Sequence, residues 1–135
     1  MPVFLSTVTD PFNPLETKYQ LTRRCLEVLL RSQWQVTILT KSNLILRTID
    51  LLKQFKKIEV GFTLTTLDDQ MARLIEPEAS LPSDRIKALA ELHQAGISTY
   101  AFIAPVLPQL TDLEAIFKNL QGKPRRRILT LLAGQ

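Results

Sequence analysis

Thr7, Thr9 and Asp10 close an apolar run, Val3 to Val8, that reads as a β-strand. Alternation along a strand puts Thr7 and Thr9 on one face, and Asp10 follows at the turn, with Asn13 close behind. A carboxylate beside hydroxyls can cradle an ammonium group, because the charge attracts it and the oxygens accept its protons. Asp10-Pro11 is equally a turn and helix-entry signal. Lys41 follows the apolar run Val36 to Leu39 and precedes a helical pattern. There it can bind a carboxylate or phosphate beside helix amides, or simply lie with its stem along the rim. Thr63, Thr65 and Thr66 close a third run, Ile58 to Leu64. Their hydroxyls suit sugar oxygens, although threonine is also an ordinary strand residue. Gly61 within that run permits close backbone approach or marks a bulge.

Other chemistry is sparse. The four glycines, Gly61, Gly96, Gly122 and Gly134, form no phosphate-binding loop, and no C-x-x-C or H-x-x-x-H spacing occurs. Cys25 is expected to pack within the helix layer, although neighbouring arginines would lower the pKa of an exposed thiol. His93 falls toward the inward side of its helix. One cysteine and one distant histidine make no nucleophilic dyad. Glu76-Pro77 either orders a long connection or ends it.

These residues need elements to position them. A fourth apolar run, Tyr100 to Ala104, stops at Pro105. Helical patterns follow each run: Glu16 to Arg31, Asn43 to Phe55, a short stretch over 68–74 and then Ser83 or Asp84 up to Gly96, and Leu113 to Leu120. The first carries Leu15, Tyr19, Leu26, Leu29 and Leu30 on one face; the second carries Ile45, Ile49 and Leu52. Ile128 to Leu132 suits a strand or a helical turn equally. Strands alternating with helices predict βαβ units, a parallel sheet and right-handed crossovers. The fold class is therefore α/β, with about four βα units. A closed eight-unit barrel needs roughly 250 residues, so the predicted architecture is a partial barrel over 1–121, followed by a basic tail over 122–135. In such folds ligands bind at the carboxyl ends of the strands, where Thr9, Asp10, Lys41 and Thr63 fall. An isolated arc leaves its concave face poorly covered and its edge strands open.

At 135 residues and 45% hydrophobic, the chain is long and apolar enough for one core and excludes a disordered class. No apolar stretch is long enough to cross a bilayer, and Met1 leads directly into a strand pattern. With one cysteine no internal disulfide forms, so a cytoplasmic location is expected. The net charge of +4 is uneven: Lys118, Lys123, Arg125, Arg126 and Arg127 cluster near the end with no acid beyond residue 117. Without those five, twelve basic residues face thirteen acidic ones, a net charge of −1. A basic tail can engage nucleic acid or simply be solvated.

Three segments together carry a resemblance: Ser6-Thr7-Val8-Thr9-Asp10-Pro11, Ile38-Leu39-Thr40-Lys41-Ser42, and Val60-Gly61-Phe62-Thr63-Leu64-Thr65-Thr66 followed by Leu74-Ile75-Glu76-Pro77. Leu92-His93-Gln94-Ala95-Gly96-Ile97 and Phe102-Ile103-Ala104-Pro105 extend it. Over residues 3 to 112 the chain resembles the radical S-adenosylmethionine (SAM) enzymes, in the branch similar to spore photoproduct lyase, often labelled DNA repair photolyase-like. The resemblance implies a partial (βα) barrel with SAM and a [4Fe-4S] cluster in its mouth. It implies that Thr9 contacts SAM, that Lys41 pairs with the SAM carboxylate and that Thr63 reaches the ribose, with Asp10 adjoining them.

The chain departs from that family in one decisive respect. The family holds its cluster with C-x-x-x-C-x-x-C after its first barrel strand, and no such run occurs here. The chain begins where the family's second strand would lie. Spore photoproduct lyase carries a hydrogen-donating cysteine where Thr7 stands, which argues against thymine-dimer repair of that type. Thiolates hold such clusters, so this polypeptide alone is expected not to generate the 5′-deoxyadenosyl radical. The resemblance thus implies a truncated radical SAM domain that keeps part of the SAM cradle, with a second chain as the source of the cluster in a split-enzyme version. The alternatives are a non-catalytic binding module whose tail engages nucleic acid, and a scaffold that self-associates to cover its edges.

Overall fold

Val36, Ile38 and Thr40 are buried, while Thr37 and Leu39 between them are half-buried. That alternation is the signature of a strand with one face packed and the other less so. In the computed structural model the described residues are 2–5, 10–120 and the backbone of 127–130. They form β1 (Val3–Leu5), α1 (Glu16–Tyr19), α2 (Leu21–Arg31), β2 (Val36–Thr40), a 3-10 helix (Asn43–Thr48) running into α3 (Ile49–Leu52), β3 (Ile58–Leu64), α4 (Asp69–Ile75), α5 (Pro82–Gln94), β4 (Ser98–Ile103), α6 (Leu113–Leu120) and β5 (Arg127–Thr130).

All five strands are parallel, and their spatial order is their sequence order. A doubly wound sheet would reverse direction at a switch point; this one does not. With right-handed crossovers throughout, sequential order puts every helix on one face. The result is an open arc of a βα barrel. Of the segment Ile128 to Leu132, ambiguous in sequence, residues 128–130 belong to the strand β5 paired with β4, and 131–132 lie outside the described residues.

The helix-facing side of the sheet is the core. Val36, Ile38, Val60 and Phe62 pack with Leu26 of α2, Ile45, Leu52, and Leu89 and Leu92 of α5. A second cluster joins Leu64, Ala101 and Ile103 to Ile116 and Leu120 of α6. Each buried Val, Leu, Ile or Phe side chain among them contributes about 1.5 to 3 kcal/mol.

Short polar residues cap the 3-10 helix and α4, whereas α5 starts at Pro82 and not at the expected Ser83 or Asp84. Ser42 Oγ accepts from the Leu44 amide, and the Asp68 carboxylate accepts from the amides of Gln70 and Met71. Pro82 opens α5, whose first turn is held by Asp69, which accepts from both the amide and the hydroxyl of Ser83. Those two bonds keep the Asp69 carboxyl below its ordinary range. Gly96 follows α5 at φ 84°, a left-handed value that glycine adopts without strain.

The structure corrects three expectations. The helix expected over residues 16–31 is broken at Gln20, which adopts φ 49°. The break re-phases the chain, so Leu15 and Tyr19 are exposed instead of joining the stripe of Leu26. Cys25 is exposed, because it lies on the side of α2 turned away from the sheet-packing face of Leu26. The helix over 43–55 begins as a 3-10 segment and becomes α-helical only at Ile49.

On the concave side, Tyr100 does what the open arc lacks. Its ring lies across Gly61 of β3, and its hydroxyl donates to the Ile38 carbonyl of β2 at 3.4 Å. The side chain is 3% exposed. Burial, aided by the Glu59 charge, pushes its phenol up to about 12. Phe4, near the open β1 edge of that face, remains 48% exposed.

Candidate functional site

Sequence reasoning places Asp10, Lys41 and Thr63 at successive strand ends, and the structure links them by one polar network. Asp10 Oδ1 accepts from the Phe12 amide at 2.9 Å and from Thr40 Oγ1 at 2.6 Å. Its Oδ2 accepts from the Lys41 amide at 2.7 Å. Asp10 is therefore both the turn residue after β1 and the tie that fixes the end of β2. Thr9 and Thr7 lie outside the described residues.

Lys41 Nζ donates to Glu76 Oε1, forming an ion pair. The other carboxylate oxygen of Glu76 accepts from Arg85 at 2.7 Å. Arg85 is 1% exposed. Its Nε donates to the Ser80 carbonyl and its remaining terminal nitrogen to the Thr63 carbonyl, both at 2.7 Å. One planar guanidinium thus binds three acceptors at once and fastens the 76–80 connection to the end of β3, a task that a lysine's single ammonium does not match. The Ser80 amide donates to the Lys41 carbonyl, and the Ser80 hydroxyl accepts from the Asn43 amide. The connection over 76–80 is strapped across the ends of β2 and β3.

Glu76 is the centre of this network. Burial pushes its carboxyl up, but the hydrogen bonds and charges of Lys41 and Arg85 outweigh that and hold it below its ordinary value of 4.5. A folded-state value below the unfolded one adds stability above the unfolded value and loses it as the pH falls through the folded one. Urea midpoints of the wild type and Glu76→Gln are therefore expected to differ most near neutrality, with the wild type more stable. The gap should close progressively below about pH 4.5. A gap independent of pH would contradict the assignment.

Beside the network opens a cleft of about 500 Å³, lined among others by Asp10, Asn13, Lys41, Ser42, Glu78 and Ser80. The Lys41 side chain, 37% exposed, is at its edge with its ammonium held by Glu76. Thr63 faces the concave side, in register with Phe102. Thr65 and Thr66 are occupied internally: Thr65 Oγ1 donates to the Ala104 carbonyl, and Thr66 Oγ1 accepts from the Asp68 amide.

Sequence reasoning missed Arg85 altogether and weighed Glu76 only as a loop residue. The available signal was spacing, since Arg85, Leu89 and Leu92 share the buried face of α5. Among the described residues no group of three or more His, Cys, Asp or Glu side chains is placed to hold a metal ion. Cys25, the single cysteine, is on the outer helix layer. The chain's own residues therefore do not fit an iron–sulfur cluster. No helix among the described residues is long and apolar enough to cross a membrane.

No protein-family model matches the chain. An uncharacterized protein of Methanocaldococcus jannaschii is 40% identical over 114 residues, covering 84% of this chain and 44% of that protein. A radical SAM Nalpha-GlyT isomerase of Pseudomonas phage M6 is 29% identical over 129 residues, covering 93% of this chain and 27% of the isomerase. The chain spans less than half the length of these relatives. Among solved structures, spore photoproduct lyase complexed with dinucleoside spore photoproduct superposes with a TM-score of 0.68 at 14% identity, over 92% of this chain and 38% of the lyase. SuiB of Streptococcus suis, bound to S-adenosylmethionine, gives 0.62 at 19% identity, over 96% and 29%.

Proposed function

We propose, for a chain that resembles the radical SAM superfamily in sequence and shares the barrel fold of spore photoproduct lyase, that it is the SAM-holding arc of a radical SAM enzyme and does not complete the reaction alone. The observation that carries this reading is the Lys41–Glu76–Arg85 network, which fixes the partly exposed Lys41 side chain at the strand-end cleft.

The residues present fit SAM. Lys41 takes the methionyl carboxylate. An ammonium has three donors, so Lys41 holds that carboxylate without abandoning Glu76. If the ligand draws Lys41 away, Arg85 still neutralises Glu76, and no buried charge is stranded. Thr63, on the concave side of the next strand, is 7% exposed and does not line the cleft, so its part toward the ribose, like that of Thr9, which lies outside the described residues, rests on the family resemblance. Asp10 itself acts by positioning, since it holds the Lys41 amide. When bound in an intact enzyme of this superfamily, SAM supplies carbon-centred radical chemistry. The [4Fe-4S] cluster does not fit this chain, so its ligands come from polypeptide outside these 135 residues, either covalently continuous or on a partner chain. A cytoplasmic location suits such oxygen-sensitive chemistry.

Calorimetric titration tests the reading. The wild-type chain is expected to bind SAM, and Lys41→Ala should weaken binding about 10-fold or more, the worth of a charge-assisted hydrogen bond. Equal affinities for the two proteins, or no binding to either, would reject the cradle. A non-catalytic module that engages partners through its basic tail is the second reading; it predicts no SAM binding at all.

A further inference from the structure

The opposite end of the sheet, where the strands begin, carries a cleft that the rim site does not use. Gln33 builds it. Its backbone adopts φ 50°, an uncommon value for a residue with a Cβ. Its side-chain amide spans two connections: Nε2 donates to the Gln54 carbonyl at 3.2 Å, and Oε1 accepts from the Lys56 amide at 3.0 Å. These bonds tie the turn before β2 to the turn before β3. They set Trp34, Lys56 and Lys57 around one cleft of about 450 Å³.

The composition of this cleft is specific. Trp34 is 46% exposed, a costly position for the largest aromatic side chain. Lys56 and Lys57 are exposed, as are Lys53 and Arg31 nearby in the same turns. The ion pairs of the described residues use Arg23, Lys41, Arg85 and Lys118, so these four cations are left to the solvent-facing surface. A half-exposed indole and two exposed lysines thus line one cleft and offer aromatic surface and positive charge together. That combination suits an unstacked base with phosphates on either side. A duplex hides its base faces and would use only the lysines.

We propose that this cleft binds single-stranded nucleic acid, with one base stacked on the Trp34 indole and the flanking phosphates taken by Lys56 and Lys57. The site is at the far end of the strands from Lys41 and is independent of the SAM reading.

Trp34 is the only tryptophan, so its fluorescence reports the site directly. Titration with a short oligothymidylate is expected to quench it. Affinity should fall with salt with a logarithmic slope of about −0.7 per phosphate engaged. Binding of a labelled oligothymidylate, followed by anisotropy, should weaken about 10-fold or more in Trp34→Ala, the worth of one base–aromatic stack. The pair Lys56→Gln and Lys57→Gln should flatten the salt slope by about 1.4. All three side chains are exposed, so these variants keep the fold, as circular dichroism would verify. Three results would overturn the proposal: no quenching, equal binding of polyglutamate or duplex DNA, or affinity that survives these variants but vanishes in the triple variant Lys123→Gln, Arg125→Gln and Arg126→Gln. None of these outcomes bears on SAM binding at the rim.

Discussion

Arg85→Met is expected to destabilise the protein by about 3 to 5 kcal/mol, the range for stripping one partner from a buried ion pair. Methionine fills a similar volume, so a cavity contributes little. The loss comes from three bonds broken together. Glu76 loses one of its two cations, the Thr63 carbonyl loses the Arg85 donor in a buried setting, and the Ser80 carbonyl, in the half-buried wall of the cleft, loses its bond to Arg85 as well. The buried Thr63 carbonyl, once stranded, costs about 1 to 3 kcal/mol, the half-buried Ser80 carbonyl costs less, and the surviving Lys41 pair moderates the charge term. Arg85→Lys should recover only part of the loss, because one ammonium does not span three acceptors held by a planar fork. Urea unfolding checks this. The midpoint should fall while the slope with denaturant stays constant. A change below 1 kcal/mol would mean that the network is not what fastens the strap to the strand ends.

Gly61→Ala should also destabilise, although backbone entropy favours alanine in a strand. That preference is worth about 0.5 to 1 kcal/mol. Against it, a Cβ at residue 61 would be 2.3 Å from two carbons of the Tyr100 ring. The ring is buried on the neighbouring strand and does not swing clear, so overpacking of about 1 to 3 kcal/mol decides the sign. A double-mutant cycle isolates the contact. In a Tyr100→Leu background, Gly61→Ala should become neutral or slightly stabilising. A cost that persists without the Tyr100 ring would refute the close approach as the reason glycine stands there.

The fold was legible because its strands are apolar runs ended by polar clusters, and helices fit between them at barrel spacing. Val36–Leu39 and Ile58–Leu64 needed no other information. The helix pattern misled at Gln20, where a left-handed residue that is not glycine breaks the run and turns Leu15 and Tyr19 outward. Nothing local announces that break. Lys41, Asp10 and Thr63 were legible as a group because parallel sheets gather their strand ends, whatever the ligand. Asp10 could be read as a turn residue or as part of a site; its carboxylate bonds the Phe12 amide and the Lys41 amide, so it serves the turn and fixes the lysine together. Arg85 was not legible, since an arginine in a helix ordinarily points to solvent. Only its place in the stripe with Leu89 and Leu92 marks it as buried, and a buried guanidinium demands a carboxylate. Glu76, nine residues earlier in sequence, meets that demand through the strap.

The most direct test of the account is residue-by-residue mapping of SAM on the isotope-labelled chain by nuclear magnetic resonance. Saturating SAM should shift the amides of Lys41, Ser42 and Thr63 and leave Trp34 and Lys56, at the far end of the strands, unmoved. Shifts confined to other surfaces, or none at saturating ligand, would contradict a SAM cradle at the carboxyl ends of β2 and β3.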